Sequence, residues 1–240
     1  MPLTMASPKE DELTRLQSAL ESATKSREAL LAGVAHDLRN PLNTFAMSTG
    51  LLRDDLEHGD VEPARALSLV QRMERAAQRM QNIIEDLVEG GRIDSGKVDL
   101  VKKTEKLTAV IAEAVVAARP IVTERGATIS AGDVDASLEL SVDRARLVQA
   151  LVKATAFVLK TTGDGGRVTM SAMRGDQGDG VQLVVRGVNP GDAPTSAPGP
   201  EEGRGGLALL IARGLAAAHG GRAEVKIDDG TRVLLTLPTS

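Results

Sequence analysis

Apolar residues recur at three- and four-residue steps through the first quarter of the chain: Leu13, Leu16, Leu20, Ala23, Leu30, Val34, Leu38, Phe45, Leu52 and Leu56. That period is one face of an α-helix and predicts a helix over 11–56. A turn is expected at His58-Gly59-Asp60, and Pro63 suits the first turn of a second helix running to about Val88. The second helix carries its own stripe of Leu67, Val70, Met73, Ala77, Met80, Ile84 and Leu87. Two long helices with a short connection predict an antiparallel hairpin. A lone hairpin cannot cover both stripes. Either two copies pair into a four-helix bundle, or the stripe packs on the C-terminal half of the same chain. So long a seam suits coiled-coil-like pairing and favours the homodimer.

The period changes after Gly90-Gly91 and Gly96. Short β-prone runs at Ala127–Ile129, Leu138–Ser141, Val168–Ser171, Val181–Val185, Ala223–Ile227 and Arg232–Leu237 alternate with helical runs near 106–118, 143–160 and 206–218. Late in the chain strand follows strand, which predicts a mixed α+β sandwich over a doubly wound parallel sheet. The expected organisation is a flexible N-terminus over 1–10, a helical hairpin domain over 11–95 and an α+β domain over 97–240. Asn189–Arg204, rich in Pro, Gly, Ser and acid, reads as a long mobile loop.

Composition narrows the function classes. With a formal net charge of -4 and no long basic run, the 240-residue chain lacks a nucleic-acid footprint. It has no cysteine, which excludes disulfides and thiolate metal sites and fits a reducing compartment. No apolar stretch reaches the length of a membrane span, and Met1–Glu12 is too polar for a signal peptide, so a soluble, cytoplasmic protein is expected. With no sensory segment ahead of Asp11, input is expected from a partner or through the C-terminal half. Phe45 and Phe157 are the only aromatics, leaving the core to Leu, Val, Ile, Ala and Met.

The candidate chemistry centres on Ala35-His36-Asp37-Leu38-Arg39-Asn40-Pro41-Leu42-Asn43, inside the first helix. A neutral imidazole nitrogen can accept a phosphoryl group, and an adjacent carboxylate such as Asp37 can fix its tautomer and take up its proton. Asn40, one turn on, shares the His36 face and can orient a water. Arg39 is either a phosphate-facing charge or a solvated helix arginine. Proline inside a helix costs about 3 kcal/mol and frees one carbonyl, so Pro41 marks a position with a purpose. Taken singly, His36 could be an ordinary exposed helix histidine, as His58 in its turn illustrates.

The nine residues in register, the second-helix ending Arg79-Met80-Gln81-Asn82-Ile83-Ile84-Glu85-Asp86-Leu87 and the exit Gly91-Arg92-Ile93-Asp94-Ser95-Gly96 together resemble bacterial two-component sensor histidine kinases. The resemblance implies a dimeric phosphoacceptor domain with His36 as phosphoacceptor, followed by an ATP-binding domain of the histidine kinase type. It further implies that Asp37 assists phosphotransfer as general base and that Asn40 orients water in a phosphatase reaction. Response-regulator receiver domains are the implied partners.

The second half is similar to that family's ATP-binding domain, with departures. Asp143–Leu151 resembles the entry of the asparagine box and Lys160–Gly166 its exit, but the two asparagines are replaced by Lys153 and Phe157. The second asparagine holds magnesium in the family, and a hard cation needs an oxygen ligand that Phe157 lacks. Phe157 would instead fill apolar space. Lys153 could reach a phosphate as a point charge or stand as an exposed helix lysine. In the first glycine box, Gly187 falls where the family has its adenine-reading aspartate, and Asn189 where it has a glycine. Losing a charged hydrogen bond costs about 1.5–3 kcal/mol. The second box, Gly203-Arg204-Gly205-Gly206 running to His219-Gly220-Gly221, keeps the spacing but has Arg204 and Ala208 at glycine positions. His219-Gly220 reads as a helix C-terminus with a glycine cap. Residual anion contacts would fall to Lys153, Lys160, Gly191, Gly205 and Gly206.

These residues predict a histidine-kinase-derived dimer with an intact phosphoacceptor half and an eroded ATPase half. Such a phosphotransfer or phosphatase module needs no cofactor of its own, and Phe157 and Gly187 argue against ATP and magnesium. Two alternatives remain: an ATP-dependent histidine kinase with an unconventional pocket, and a non-enzymatic scaffold that docks regulators or a sister kinase.

Overall fold

A computed structural model describes residues 8–59, 61–96, 98–175, 180–190, 206–228 and 230–239. Contacts divide the chain into two compact units, the first ending at Ile83 and the second beginning at Ile84.

The first unit is built from α1 (Pro8–His58) and most of α2 (Pro63–Asp94). Residues 8–10, expected in a flexible terminus, are already helical, because nothing in Pro8-Lys9-Glu10 opposes a first turn that proline favours. Gly59, at φ 75°, ends α1, and its N–H reaches the Leu56 carbonyl. Beyond the turn, Arg65 of α2 pairs with Asp55 of α1 at 2.7 Å. Val34, Pro41 and Ser48 of α1 are buried at steps of seven, as are Leu69 and Ala76 of α2. That spacing is the seam of two paired helices. The Thr49 hydroxyl lies 3.3 Å from the Met73 sulfur across it.

The expected single stripe on α2 is in fact two. Met73 and Met80 belong with Leu69 and Ala76 in the intrachain seam, whereas Leu67 (59% exposed) and Val70 face away from it. On α1, Leu31, Leu42, Met47, Leu51 and Leu56 are likewise exposed. A period of 3.6 cannot distinguish two stripes about 100° apart when both are apolar.

In the second unit a five-stranded sheet runs in the order β2 (Thr128–Val134), β4 (Arg167–Arg174), β5 (Val181–Val188), β7 (Thr231–Leu237), β6 (Arg222–Ile227). Only β2 and β4 are parallel; the other neighbours are antiparallel. Alternate residues of β4, β5 and β7 are buried, among them Val168, Met170, Leu183, Val185, Val233 and Leu235. They meet Leu107 and Ile111 of α3 (Leu107–Thr123), Leu147, Leu151 and Val158 of α4 (Arg144–Thr161), and Leu209 and Leu215 of α5 (Gly206–Ala218). This is a helix layer on a mixed sheet, as the pattern predicts. A two-stranded ladder, β1 (Lys103–Lys106) with β3 (Glu139–Val142), was not legible, since Lys-Thr-Glu-Lys has no apolar alternation. The loop expected over Asn189–Arg204 lies mostly outside the described residues.

α2 continues six residues beyond Val88, through Gly90 and Gly91. Glycine in a helix costs about 1 kcal/mol against alanine, so packing must support it. A side-chain carbon on Gly90 would sit 3.1 Å from Leu207 and 3.4 Å from Leu210 of α5. Ile93, conversely, fills the space a side chain would need at Gly214 of α5. Residues 84–94 therefore belong by contact to the second unit, although the sequence changes texture only at Gly96.

One junction ties the second unit together. Asp143 caps α4 by accepting from the Arg146 N–H at 3.1 Å, and its other oxygen accepts from the Val101 N–H at 2.9 Å. Its own N–H donates to His219 Nε2 at 3.1 Å, and His219 Nδ1 lies 2.8 Å from the Leu215 carbonyl. His219 does follow the end of α5 and precede a glycine at φ 84°. It is, however, 4% exposed and bridges two helices. Both ring contacts require a neutral imidazole carrying its proton on Nδ1.

Burial pushes the Asp143 pKa up, but the N–H groups of Val101 and Arg146 and the Arg146 charge outweigh it, leaving it below the ordinary 3.8. A depressed folded pKa means stability present above the ordinary value and lost as pH falls through the folded one. Asp143→Ala is therefore expected to lower unfolding free energy by about 1–2 kcal/mol at pH 7. The gap to the parent should narrow below about pH 4 as the parent carboxylate protonates. Urea denaturation at pH 7 and in that acid range checks both.

Candidate functional site: an exposed histidine on a long helix

His36 sits mid-way along α1 with its side chain 67% exposed. It follows Val34, whose burial in the seam turns the next residues outward. Its Nδ1 is 3.6 Å from Asp37 Oδ1. That is beyond hydrogen-bond length but close enough for attraction to a ring that gains charge. Nε2 is the nitrogen not facing this carboxylate. Arg39 and Asn40 are exposed one turn on, so His36, Arg39 and Asn40 share an accessible face.

Pro41 is buried in the seam and α1 runs through it uninterrupted. Proline has no N–H, so Pro41 itself cannot donate to the carbonyl four residues earlier. The Asn40 carbonyl, by contrast, accepts from the Thr44 hydroxyl at 3.1 Å.

The positions implicated in nucleotide binding are otherwise engaged. Phe157 is 3% exposed within the α4 core. Gly187 lies in β5, where an added Cβ would meet Thr162 Oγ1 at 2.2 Å and Val158 Cγ1 at 2.3 Å. Both neighbours are buried, and the Thr162 hydroxyl donates to the Val158 carbonyl at 3.0 Å. An aspartate there would have to displace the Thr162 and Val158 side chains. Next to it, the Thr161 hydroxyl pairs with that of Thr231 on β7 at 2.7 Å.

Lys153 is neither an exposed helix lysine nor turned to an open phosphate site. Its side chain is 20% exposed and pairs with Asp86 of α2. Asn189 Oδ1 accepts from the Gly163 N–H at 2.9 Å and so holds a turn. Lys160 is exposed, with its ammonium 3.8 Å from where a side chain would begin on Gly206, which has φ 54°. Gly191 and Gly205 lie outside the described residues.

Sequence reasoning passed over Asp86, Glu89, Arg146, Thr161, Thr162 and Thr231. The signal available was opposite charge at helical spacing: acids at 86 and 89 on one helix, cations at 146 and 153 on another.

Residues 26–96 match the model of the His Kinase A (phospho-acceptor) domain. The hairpin segment thus matches a histidine kinase phospho-acceptor domain, and the chain as a whole is similar to histidine kinases. It is 24% identical over 235 residues to an uncharacterized sensor-like histidine kinase of Rhizobium meliloti, covering 91% of this chain and 44% of that protein. It is 26% identical over 240 residues to the methanogenesis regulatory histidine kinase FilI of Methanothrix harundinacea, covering 95% of this chain and 26% of that one. With the cell-division control histidine kinase PdhS of Brucella anthropi it shares 23% identity over 73% of this chain and 16% of that protein. The chain thus spans less than half the length of these curated relatives.

Among solved structures, the histidine kinase AdeS of Acinetobacter baumannii superposes with a TM-score of 0.57 at 16% identity, covering 84% of this chain and 98% of that one. Full-length ShkA in complex with AMPPNP gives 0.54 at 22% identity, covering 88% and 46%. Both share the fold seen here, a helical hairpin followed by an α/β unit.

The packing at Gly187 generates a stability prediction. Gly187→Ala is expected to destabilise the protein by about 1–3 kcal/mol through overpacking against Thr162 and Val158. Chemical denaturation checks it. An unchanged midpoint would mean that α4 yields easily and the space can open.

Proposed function

We propose that this histidine kinase family protein is a phosphotransfer or phosphatase module, exchanging phosphoryl groups with response-regulator receiver domains without using ATP. The observation that carries this reading is an asymmetry. His36 stands exposed beside Asp37 in the segment that matches the phosphoacceptor domain, while the space at Gly187 is filled by Thr162 and Val158. Phe157 offers no oxygen for magnesium and lies buried, which further supports it.

In the forward step a neutral His36, its proton on Nδ1 toward Asp37, attacks phosphorus through the Nε2 lone pair. The P–N bond forms as the P–O bond to the receiver aspartate breaks, and the aspartate leaves as carboxylate. Asp37 offsets the positive charge gained by the ring and can accept the Nδ1 proton. In the phosphatase step Asn40 positions a water against the phosphorus while it is still on the receiver aspartate. The water oxygen bonds to phosphorus as the P–O bond to the aspartate breaks, releasing inorganic phosphate, the free carboxylate and a proton to solvent. Arg39, on the same face, supplies a cation to the phosphoryl oxygens. Histidine kinase activity is the second reading, favoured by the names of the relatives; the scaffold reading is favoured by no observation of this structure.

Assembly as a homodimer is part of the proposal. Leu31, Met47, Leu51, Leu67 and Val70 line the hairpin outside its own seam, and a second copy would cover them as a four-helix bundle. Light scattering at micromolar concentration should give twice the chain mass. A monomer would remove the bundle from the reading.

Time-resolved partition of phosphate between this protein and a phosphorylated receiver domain tests the chemistry. His36→Ala should abolish phosphoryl gain. Asn40→Ala should leave that gain within about threefold and slow net phosphate loss by about tenfold or more, the scale of one positioned group. Calorimetry should detect no micromolar binding of magnesium-ATP. Such binding, accompanied by labelling of His36 from ATP, would establish the kinase reading in place of this one.

A further inference from the structure

We propose that Lys153 and Asp86, seconded by Arg146 and Glu89, form an ion-pair clamp that holds the last turns of α2 as a fixed, nucleotide-independent element of the second unit. The position that resembles a nucleotide-site asparagine has thereby become a positioning residue.

The geometry is specific. Asp86, Glu89, Gly90 and Ile93 recur at the spacing of one helix face, as do Arg146, Gln149 and Lys153 on α4. Lys153 pairs with Asp86 and, one turn further along α2 but two turns back along α4, Arg146 pairs with Glu89 at 2.5 Å. The two helices therefore run in opposite senses along the contact. Arg146 also reaches Gln149 Oε1 at 3.1 Å, which fixes its guanidinium in place. Beside the ionic row, Gly90 faces Leu207 and Leu210, and Ile93 fills the notch at Gly214.

Burial makes these pairs consequential. Glu89 is 9% exposed as a residue, and the Lys153 and Asp86 side chains are 20% and 22% exposed. Surface pairs are worth little, but removing one member of a largely buried pair strands the other charge away from water. The two glycines at 90 and 91 would otherwise make this the weakest stretch of α2. Attachment by charge to α4 and by shape to α5 explains why it stays helical to Asp94. A lysine committed to Asp86 is not available to a phosphate, so the clamp should not respond to nucleotide.

Hydrogen exchange on the full chain tests the clamp without reference to phosphoryl transfer, so its outcome is separate from that of the proposed function. Lys153→Met and Asp86→Asn are each expected to speed exchange at residues 84–94 by about tenfold or more. Amides of β5 and β7 should keep their protection. The reversed pair, Asp86→Lys with Lys153→Asp, should restore residues 84–94 to within about threefold of the parent, since a coupled pair is rescued by exchange of its charges. Arg144→Met, which removes the separate contacts to Glu113 and Glu105, should leave residues 84–94 unchanged, as should millimolar magnesium-ATP. The proposal is overturned by unchanged exchange in both single variants, by equal acceleration across β5 and β7, by failure of the reversed pair to restore protection, by acceleration of residues 84–94 in Arg144→Met, or by altered exchange there on adding magnesium-ATP.

Discussion

The packing of α4 is the constraint on which the second unit depends. One face of this helix fills the core through Leu147, Leu151, Ala154 and Val158, all buried against the sheet and its neighbouring helices. Its start is capped by Asp143, which also gathers Val101 and His219. Its flank pairs with the end of α2 through Arg146 and Lys153. Its end, through Val158 and Thr162, closes the space over Gly187. Few positions on such a helix can change role independently, because each neighbour is in van der Waals or hydrogen-bond contact.

That constraint gives the changes at Lys153, Phe157 and Gly187 a common physical character. A carboxylate at 187 needs room, and Thr162 and Val158 occupy it. A buried phenylalanine at 157 contributes apolar area where an amide would need polar partners. A lysine at 153 needs a counter-ion at its depth, and Asp86 supplies one. The three residues suit one another as packing.

The first unit works on a different principle. His36 lies on the open face of a long helix, and its surroundings come from helix spacing alone: Asp37 beside it, Arg39 and Asn40 one turn on. Under the proposed function, such an exposed site suits a chemistry in which the partner brings the phosphoryl group and part of the active site with it. The hairpin's role is to hold these few groups rigidly, through a heptad seam and the Arg65–Asp55 pair near the turn.

Sequence by itself determined the features set by neighbours along the chain. Periodicity located both helices of the hairpin and six of the seven strands among the described residues, and the spacing of His36 and Asn40 fixed their common face, because 3.6 residues per turn needs no tertiary information. Chemical type alone showed that neither the Phe157 nor the Gly187 position carries a polar side chain. Tertiary structure decided whatever depends on what lies across a gap. It separated the two apolar stripes of α2, since burial is a property of the partner surface. It carried α2 through Gly90 and Gly91, because Leu207, Leu210 and Gly214 offset glycine's intrinsic cost. It paired β1 with β3, where hydrogen bonds and not side chains specify the strand. It also turned Lys153 to Asp86 and buried His219 between two helices. A charge or an imidazole has no role in a sequence until the fold has chosen the atom it faces.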